Sequence, residues 1–299
     1  MSTDSSAFSL LPSSESAERR PAGQSAVALR EIQFPTQLST ESDRAFEHAR
    51  FLAEHFGANI TLYHAVELAR REYTRWIKGN AEEVWARLGE EARRELARRT
   101  EGLGFPFKVV VTVPAAPAAV DVSLLDFIGK NQPDLTVMAT RGRKGFSSLF
   151  LGSVAAEVIR NAGRPVLVVR NPEHGLILPY QHIVVATDLS PASRRAFGLG
   201  AFLARDLEAR VLAVHVGTDG PALEDAVRHF LEPEFEGLPV EVKIVEGGAA
   251  WEGIVRSARS FKADLVVMST QGRDSVSDRL LGSNAERVVR QAPCPVLVP

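Results

Sequence analysis

The residues of this chain best suited to chemistry are two glycine–serine pairs, each set behind another glycine. Gly142 is followed, after nine intervening residues, by Gly152-Ser153, and Gly272 by Gly282-Ser283 at the same spacing. An apolar run precedes each first glycine, ending in Met138-Ala139 and Met268-Ser269, and a helical pattern follows each serine, through Val154 and Asn284. Glycine lets backbone N–H groups approach an anion closely, and a helix N-terminus adds unpaired N–H donors with a partial positive charge. The spacing therefore predicts a phosphate-binding loop. Ser153 could bond a phosphate oxygen or simply cap its helix. Arg141, Arg143 and Lys144 make the first loop basic and favourable for a polyphosphate. The second loop has Gln271 and Arg273 but also Asp274 and Asp278, which would repel a polyphosphate if they point inward.

These loops lie in a duplicated unit. The stretch starting at Asp134 aligns without gaps on the stretch starting at Asp264, at a constant offset of 130 with about half of the positions identical. A second block, from Ile32, aligns on that from Ile183 at an offset of 151 and continues to His64 and His215. The offsets differ because the first copy carries an extra segment around Glu67 to Gly104. Apolar residues there (Trp76, Val84, Trp85, Leu88, Ala92 and Leu96) have helical spacing, which predicts a longer surface helix.

Each copy alternates short apolar runs with helical patterns, so the fold class is α/β: two doubly wound, mainly parallel five-stranded sheets. The first copy's strands fall near Ile32–Thr36, Ile60–Ala65, Lys108–Val113, Leu135–Thr140 and Val166–Val169. In the second, HIVVAT, VLAVHV, PVEVKIVEG, DLVVMST and PVLV are the strands, and a helix spans the residues from Ala192 to Ala209. The expected organisation is a tail over 1–25, a first domain over 26–170, a linker over 171–180 and a second domain over 181–299. Ligands in such sheets bind beyond the carboxyl ends of the strands, which is where both glycine loops fall.

Composition limits the alternatives. A length of 299 residues suits two domains, and 35 basic against 37 acidic residues leave a net charge of -2, so no global cationic field recruits nucleic acid or anionic lipid. A single cysteine, Cys294, rules out an intramolecular disulfide and reads as a packed thiol. The chain lacks a Walker loop, a zincin motif, an EF-hand loop and a nucleophile elbow. No signal sequence or membrane span is expected, and the reading is of a soluble cytoplasmic protein.

An apolar strand ending in Met, then small-x-x-Gly, nine residues, Gly-Ser, a helix and PVLV resembles the universal stress protein family, whose nucleotide motif is G-x-x-G, nine residues, G-[ST]. Two copies resemble its tandem members. The resemblance implies a Rossmann-like fold of the adenine nucleotide alpha-hydrolase type, in which the fifth strands join two halves about a pseudo-twofold axis. It implies ATP or another adenine nucleotide as ligand, with magnesium as a companion ion, bound by Thr36, Gln37, Met138, Ala139, Arg141, Gly142, Arg143, Gly152, Ser153 and Val154 in the first half. In the second it implies Thr187, Asp188, Met268, Ser269, Gln271, Gly272, Gly282, Ser283 and Asn284. The family places Asp after the first strand, where its carboxylate accepts hydrogen bonds from adenine or ribose. Asp188 matches, although an Asx turn would also place it there, and Gln37 departs from the pattern. Ala139 and Ser269 replace the motif's first glycine. No catalytic or protein metal-ligand set is complete, so any hydrolysis should be slow. The expected role is a stress-response regulator that senses nucleotide and contacts a protein partner, as an intrachain pseudo-dimer or a further homodimer. Alternatives are a nucleotide-independent scaffold and an ATP-hydrolysing enzyme. His64 and His215 are expected to be hydrogen-bonded structural residues rather than catalysts.

Overall fold

The computed structural model describes residues 28–66, 81–112, 120–140, 151–170, 175–218, 220–270 and 282–299. In the first half the strands are β1 (Glu31–Pro35), β2 (Asn59–Ala65), β3 (Phe107–Thr112), β4 (Leu135–Ala139) and β5 (Val166–Val169). Between them run α1 (Thr40–Phe56), α2 (Ala81–Thr100), α3 (Val120–Asn131) and α4 (Ser153–Asn161). The second half repeats this with β6 (His182–Thr187), β7 (Arg210–Val216), β8 (Val240–Val245), β9 (Leu265–Val267) and β10 (Val296–Val298). Its helices are α5 (Pro191–Arg195), α6 (Phe197–Asp206), α7 (Pro221–Phe235), α8 (Ala250–Ser260) and α9 (Ser283–Gln291). The single helix expected from Ala192 to Ala209 is divided at Ala196, whose N–H bonds back to Ser193 in a tighter turn. Helix α2 buries Ala92 and Leu96, as the spacing required, while Glu67–Asn80, with Trp76, lies outside the described residues.

The two five-stranded sheets are continuous. Their combined order is β3-β2-β1-β4-β5-β10-β9-β6-β7-β8, parallel throughout except for the β5–β10 pair. Val166 pairs with Val298, Leu167 with Leu297 and Val168 with Val296. Leu167 and Leu297 are equivalent residues of the repeat and face each other, and the flanking valines exchange partners. That is the pairing a twofold axis through the leucines demands. A strand as apolar as β5 would otherwise present an unpaired edge.

The halves also meet through helices. Phe56 of α1 packs on Phe202 of α6 with ring centroids 4.9 Å apart, and His55 Nε2 lies 2.7 Å from Asp206 Oδ2. Deeper in this seam His48 Nδ1 and the Tyr180 hydroxyl are hydrogen-bonded at 2.9 Å, both buried. Burial lowers the His48 pKa from 6.5 to about 4 and pushes that of Tyr180 well up. The repeat places Leu199 and Leu29 at the equivalent positions, so a polar pair stands on one side of the axis and an apolar pair on the other.

Equivalent aspartates anchor the amino ends of the central strands. Asp134 accepts from the Arg30 and Glu31 amides, and Asp264 from those of Gln181 and His182. Burial nevertheless raises the Asp264 pKa against these stabilising bonds. The halves differ mid-strand. Gln33 of β1 and Thr136 of β4 are register neighbours, wholly buried, and neither amide atom of Gln33 nor the Thr136 hydroxyl has a hydrogen-bond partner. Their counterparts are Val184 and Val266, also neighbours.

Candidate functional site

Strand order reverses between β1 and β4, and again between β6 and β9, which opens a crevice at the carboxyl ends of each pair. The register Gln33–Thr136, continued to the strand ends, sets Thr36 level with Ala139. The register Val185–Val267 likewise sets Thr187 level with Ser269. Met138 and Met268 are buried just before these ends, and Gln37 and Asp188 follow in the turns.

Each crevice is bordered by a helix N-terminus. The Gly152 N–H donates to the Thr140 carbonyl at 2.9 Å, and the Gly282 N–H to that of Thr270 at 2.8 Å, so α4 and α9 begin against the end of the adjacent strand. Both glycines are extended, with φ of -63° and -60°, so the left-handed region is not the reason for them. At Gly282 contact is the reason: a Cβ there would lie 3.0 Å from the Thr270 carbonyl oxygen, with backbone as the obstacle. Glycine also leaves these helices without a side-chain cap, whereas Ser39 caps α1 and Ser190 caps α5. Ser153, Ser283 and Asn284 are exposed at these termini. The Asn284 Oδ1 accepts from the Trp251 amide at 3.3 Å, and Arg287 lies 5.5 Å from the Trp251 ring centroid, so Asn284 ties α9 to the start of α8.

The opposite wall is the turn after the first strand, and the threonine and histidine bonds that hold it are the same in both halves. Thr36 Oγ1 accepts from the Leu38 amide at 3.1 Å, and Thr187 Oγ1 from the Leu189 amide at 3.0 Å. Leu38 and Leu189 are left-handed, at φ of 54° and 61°, a conformation costing a branched residue about 1–2 kcal/mol. Such strain persists only where the surroundings over-determine it. His64 Nδ1 donates to the Thr36 carbonyl at 2.8 Å, and His215 Nδ1 to that of Thr187 at 2.9 Å. Both histidines are buried and hydrogen-bonded, in agreement with the structural role expected of them. Asp188 Oδ1 accepts from the Ser190 amide at 3.0 Å and from its hydroxyl at 2.5 Å, which closes an Asx turn, while the Gln37 amide N–H donates to Ser42 Oγ at 3.2 Å.

The structure thus brings Thr36, Gln37, Met138, Ala139, Gly152, Ser153 and Val154 to one crevice and Thr187, Asp188, Met268, Ser269, Gly282, Ser283 and Asn284 to the other. Arg141, Gly142, Arg143, Gln271 and Gly272 lie outside the described residues. Ala139 pairs with Val169 in extended conformation, which any residue adopts, so its backbone does not require the motif's first glycine. Among the described residues no group of three or more His, Cys, Asp or Glu is placed to hold a metal ion. Sequence reasoning missed the seam pair His48–Tyr180 and the anchoring role of Asp134 and Asp264. The signal for the latter was present, since these aspartates open the aligned blocks.

Comparison with known proteins identifies the family and the fold. A sequence model of the universal stress protein family matches residues 29–170 and again 179–298. The universal stress protein Mb2028c of Mycobacterium bovis is 27% identical over 269 residues, covering 80% of this chain and 86% of its own. The crystal structure of a universal stress protein from Archaeoglobus fulgidus superposes with a TM-score of 0.69 at 23% identity, covering 90% of this chain and 97% of that one. A solved universal stress protein in complex with cAMP is 30% identical, covering 40% of this chain and 95% of its own, with a TM-score of 0.34.

Proposed function

This chain belongs to the universal stress protein family, with two copies of the family's sequence in one polypeptide, and from that premise we propose that it binds ATP or a related adenine nucleotide. Occupancy of the strand-end crevices would then bias conformation or partner binding, which requires a nucleotide that prefers one state over another. The observation that carries the reading is the pair of glycine-started helices, α4 and α9. Each is held to the end of its neighbouring strand by a glycine amide and left without a side-chain cap. Uncapped N–H groups and the helix dipole favour an anion there, and at Gly282 a side chain would collide with the opposing carbonyl. The described residues fit the phosphate end of a nucleotide. Thr36-Gln37 and Thr187-Asp188 would face its nucleoside end, with the charged Asp188 making the second half the tighter. Magnesium would accompany the nucleotide's phosphates.

Regulation in the cytoplasm during stress is the role in which we place the protein. No described helix is long and apolar enough to cross a membrane. One observation favours the alternative of a nucleotide-independent scaffold: the Asp188 carboxylate already serves Ser190. Calorimetry with ATP, ADP and AMP on the wild type, Asp188→Ala and Gly282→Val separates the two. Binding that weakens about tenfold or more in each variant, the size of one lost hydrogen bond or more, supports the site. No binding at millimolar nucleotide rejects it and leaves the scaffold.

A further inference from the structure

Both halves bury a histidine at the end of the second strand. Strand β7 is otherwise apolar along its buried length, and burying an imidazole there costs desolvation that a leucine would not incur. In return each imidazole makes the same hydrogen bond, at 2.8 Å in the first half and 2.9 Å in the second. A carbonyl oxygen only accepts, so Nδ1 carries a proton, which fixes the tautomer that each ring takes when it is uncharged. In the second half the ring lies so close to the main chain that a Cβ on Gly217 would sit 2.9 Å from His215 Nε2.

The carbonyl that receives this proton belongs to Thr187, the residue before Asp188, or to Thr36, the residue before Gln37. From it a chain of bonds runs through the turn. Thr187 Oγ1 holds the Leu189 amide in its left-handed conformation, Asp188 Oδ1 holds the Ser190 amide and hydroxyl, and Ser190 Oγ caps α5 through the Ser193 amide at 3.2 Å. The histidine ties this strained turn back to the neighbouring strand by a side chain.

We propose that His215, and His64 in the first half, are positioning residues for the nucleoside end of the crevice. Their Nδ1–H fixes the strand-end carbonyl, and through it the turn that presents Asp188 or Gln37. This inference rests on the nucleotide-binding reading, which leaves both histidines unassigned.

The test compares His215→Leu, which removes the donor, with His215→Asn, whose amide nitrogen can stand where Nδ1 stood. ATP affinity is measured by calorimetry, and long-range proton–nitrogen NMR reads the ring tautomers and the amide resonances of Asp188–Ser190. The expected result is an Nδ1–H tautomer in both wild-type rings. ATP binding should fall about tenfold in His215→Leu and recover to within about threefold of wild type in His215→Asn, the size of one buried hydrogen bond. Equal affinity in wild type and His215→Leu, equal loss in both variants, or an Nε2–H tautomer overturns the proposal. Should the wild type bind no ATP, the nucleotide reading fails by itself and the NMR decides the positioning role. Amides of Asp188–Ser190 that shift in His215→Leu and return in His215→Asn sustain it, and amides that do not move refute it.

Discussion

Replacing His48 by leucine, the residue the repeat places at the equivalent position, should flatten the acid limb of the stability profile. His48 is 2% exposed, its Nδ1 is bonded to the Tyr180 hydroxyl, and burial lowers its pKa from 6.5 to about 4. The unfolded chain therefore binds the proton more readily than the folded one. The contribution of neutral His48 is fully present above pH 6.5 and is lost as pH falls from there to about 4. Two and a half pKa units correspond to about 3 kcal/mol over the whole window, of which about 2 kcal/mol is gone by pH 5. Asp264, which shares a small cavity with His48 and Cys294, works in the opposite sense. Its raised pKa makes the folded state gain stability as pH falls, but it is present in both proteins and cancels in the comparison. Leaving the Tyr180 hydroxyl without His48 lowers the stability of His48→Leu at every pH in this range and cancels likewise. Urea unfolding of both proteins at pH 7.5, 6 and 5 should show their stability difference changing by about 2 kcal/mol in favour of the variant at the acid end. Parallel profiles would refute the reasoning and show that the seam admits the charged imidazolium.

Thr136→Val removes a buried hydroxyl that has no partner while keeping the shape, and should stabilise the protein by about 1 kcal/mol in thermal melts. Destabilisation would show that the hydroxyl is bonded in solution. Leu297→Ala opens a cavity where the two halves meet across β5 and β10. It should cost about 2–5 kcal/mol in denaturant unfolding and speed limited proteolysis between the halves, and an unchanged protease pattern would mean that the helical seam suffices. Gly282→Ala forces a Cβ to 3.0 Å from the Thr270 carbonyl, and should lower stability by about 1–3 kcal/mol as that contact gives way. A neutral effect would indicate that the start of α9 moves freely.

The alternation of apolar runs and helical patterns determined the α/β class, the repeat and nearly every strand, because parallel strands buried on both faces must be written as short apolar stretches. Gly152 and Gly282 were legible by type and spacing, and at Gly282 a Cβ would come within 3.0 Å of the Thr270 carbonyl oxygen. The strand-end turns were half legible. Asp188 stands out by type, but its closure on Ser190, the left-handed Leu189 held by Thr187 and the His215 bond to the Thr187 carbonyl are not written in it, the last joining residues 28 apart in sequence. The resemblance already implied that the fifth strands join the two halves, and the tertiary structure decided the antiparallel register in which Leu167 meets Leu297. Only it shows that His48, an unremarkable helix residue, is sealed against Tyr180 from the other half. Pairing register and burial at a seam are properties of surfaces that exist only once both halves have folded. The sequence wrote the elements and the repeat, and packing about the pseudo-twofold axis decided which polar groups lost their water.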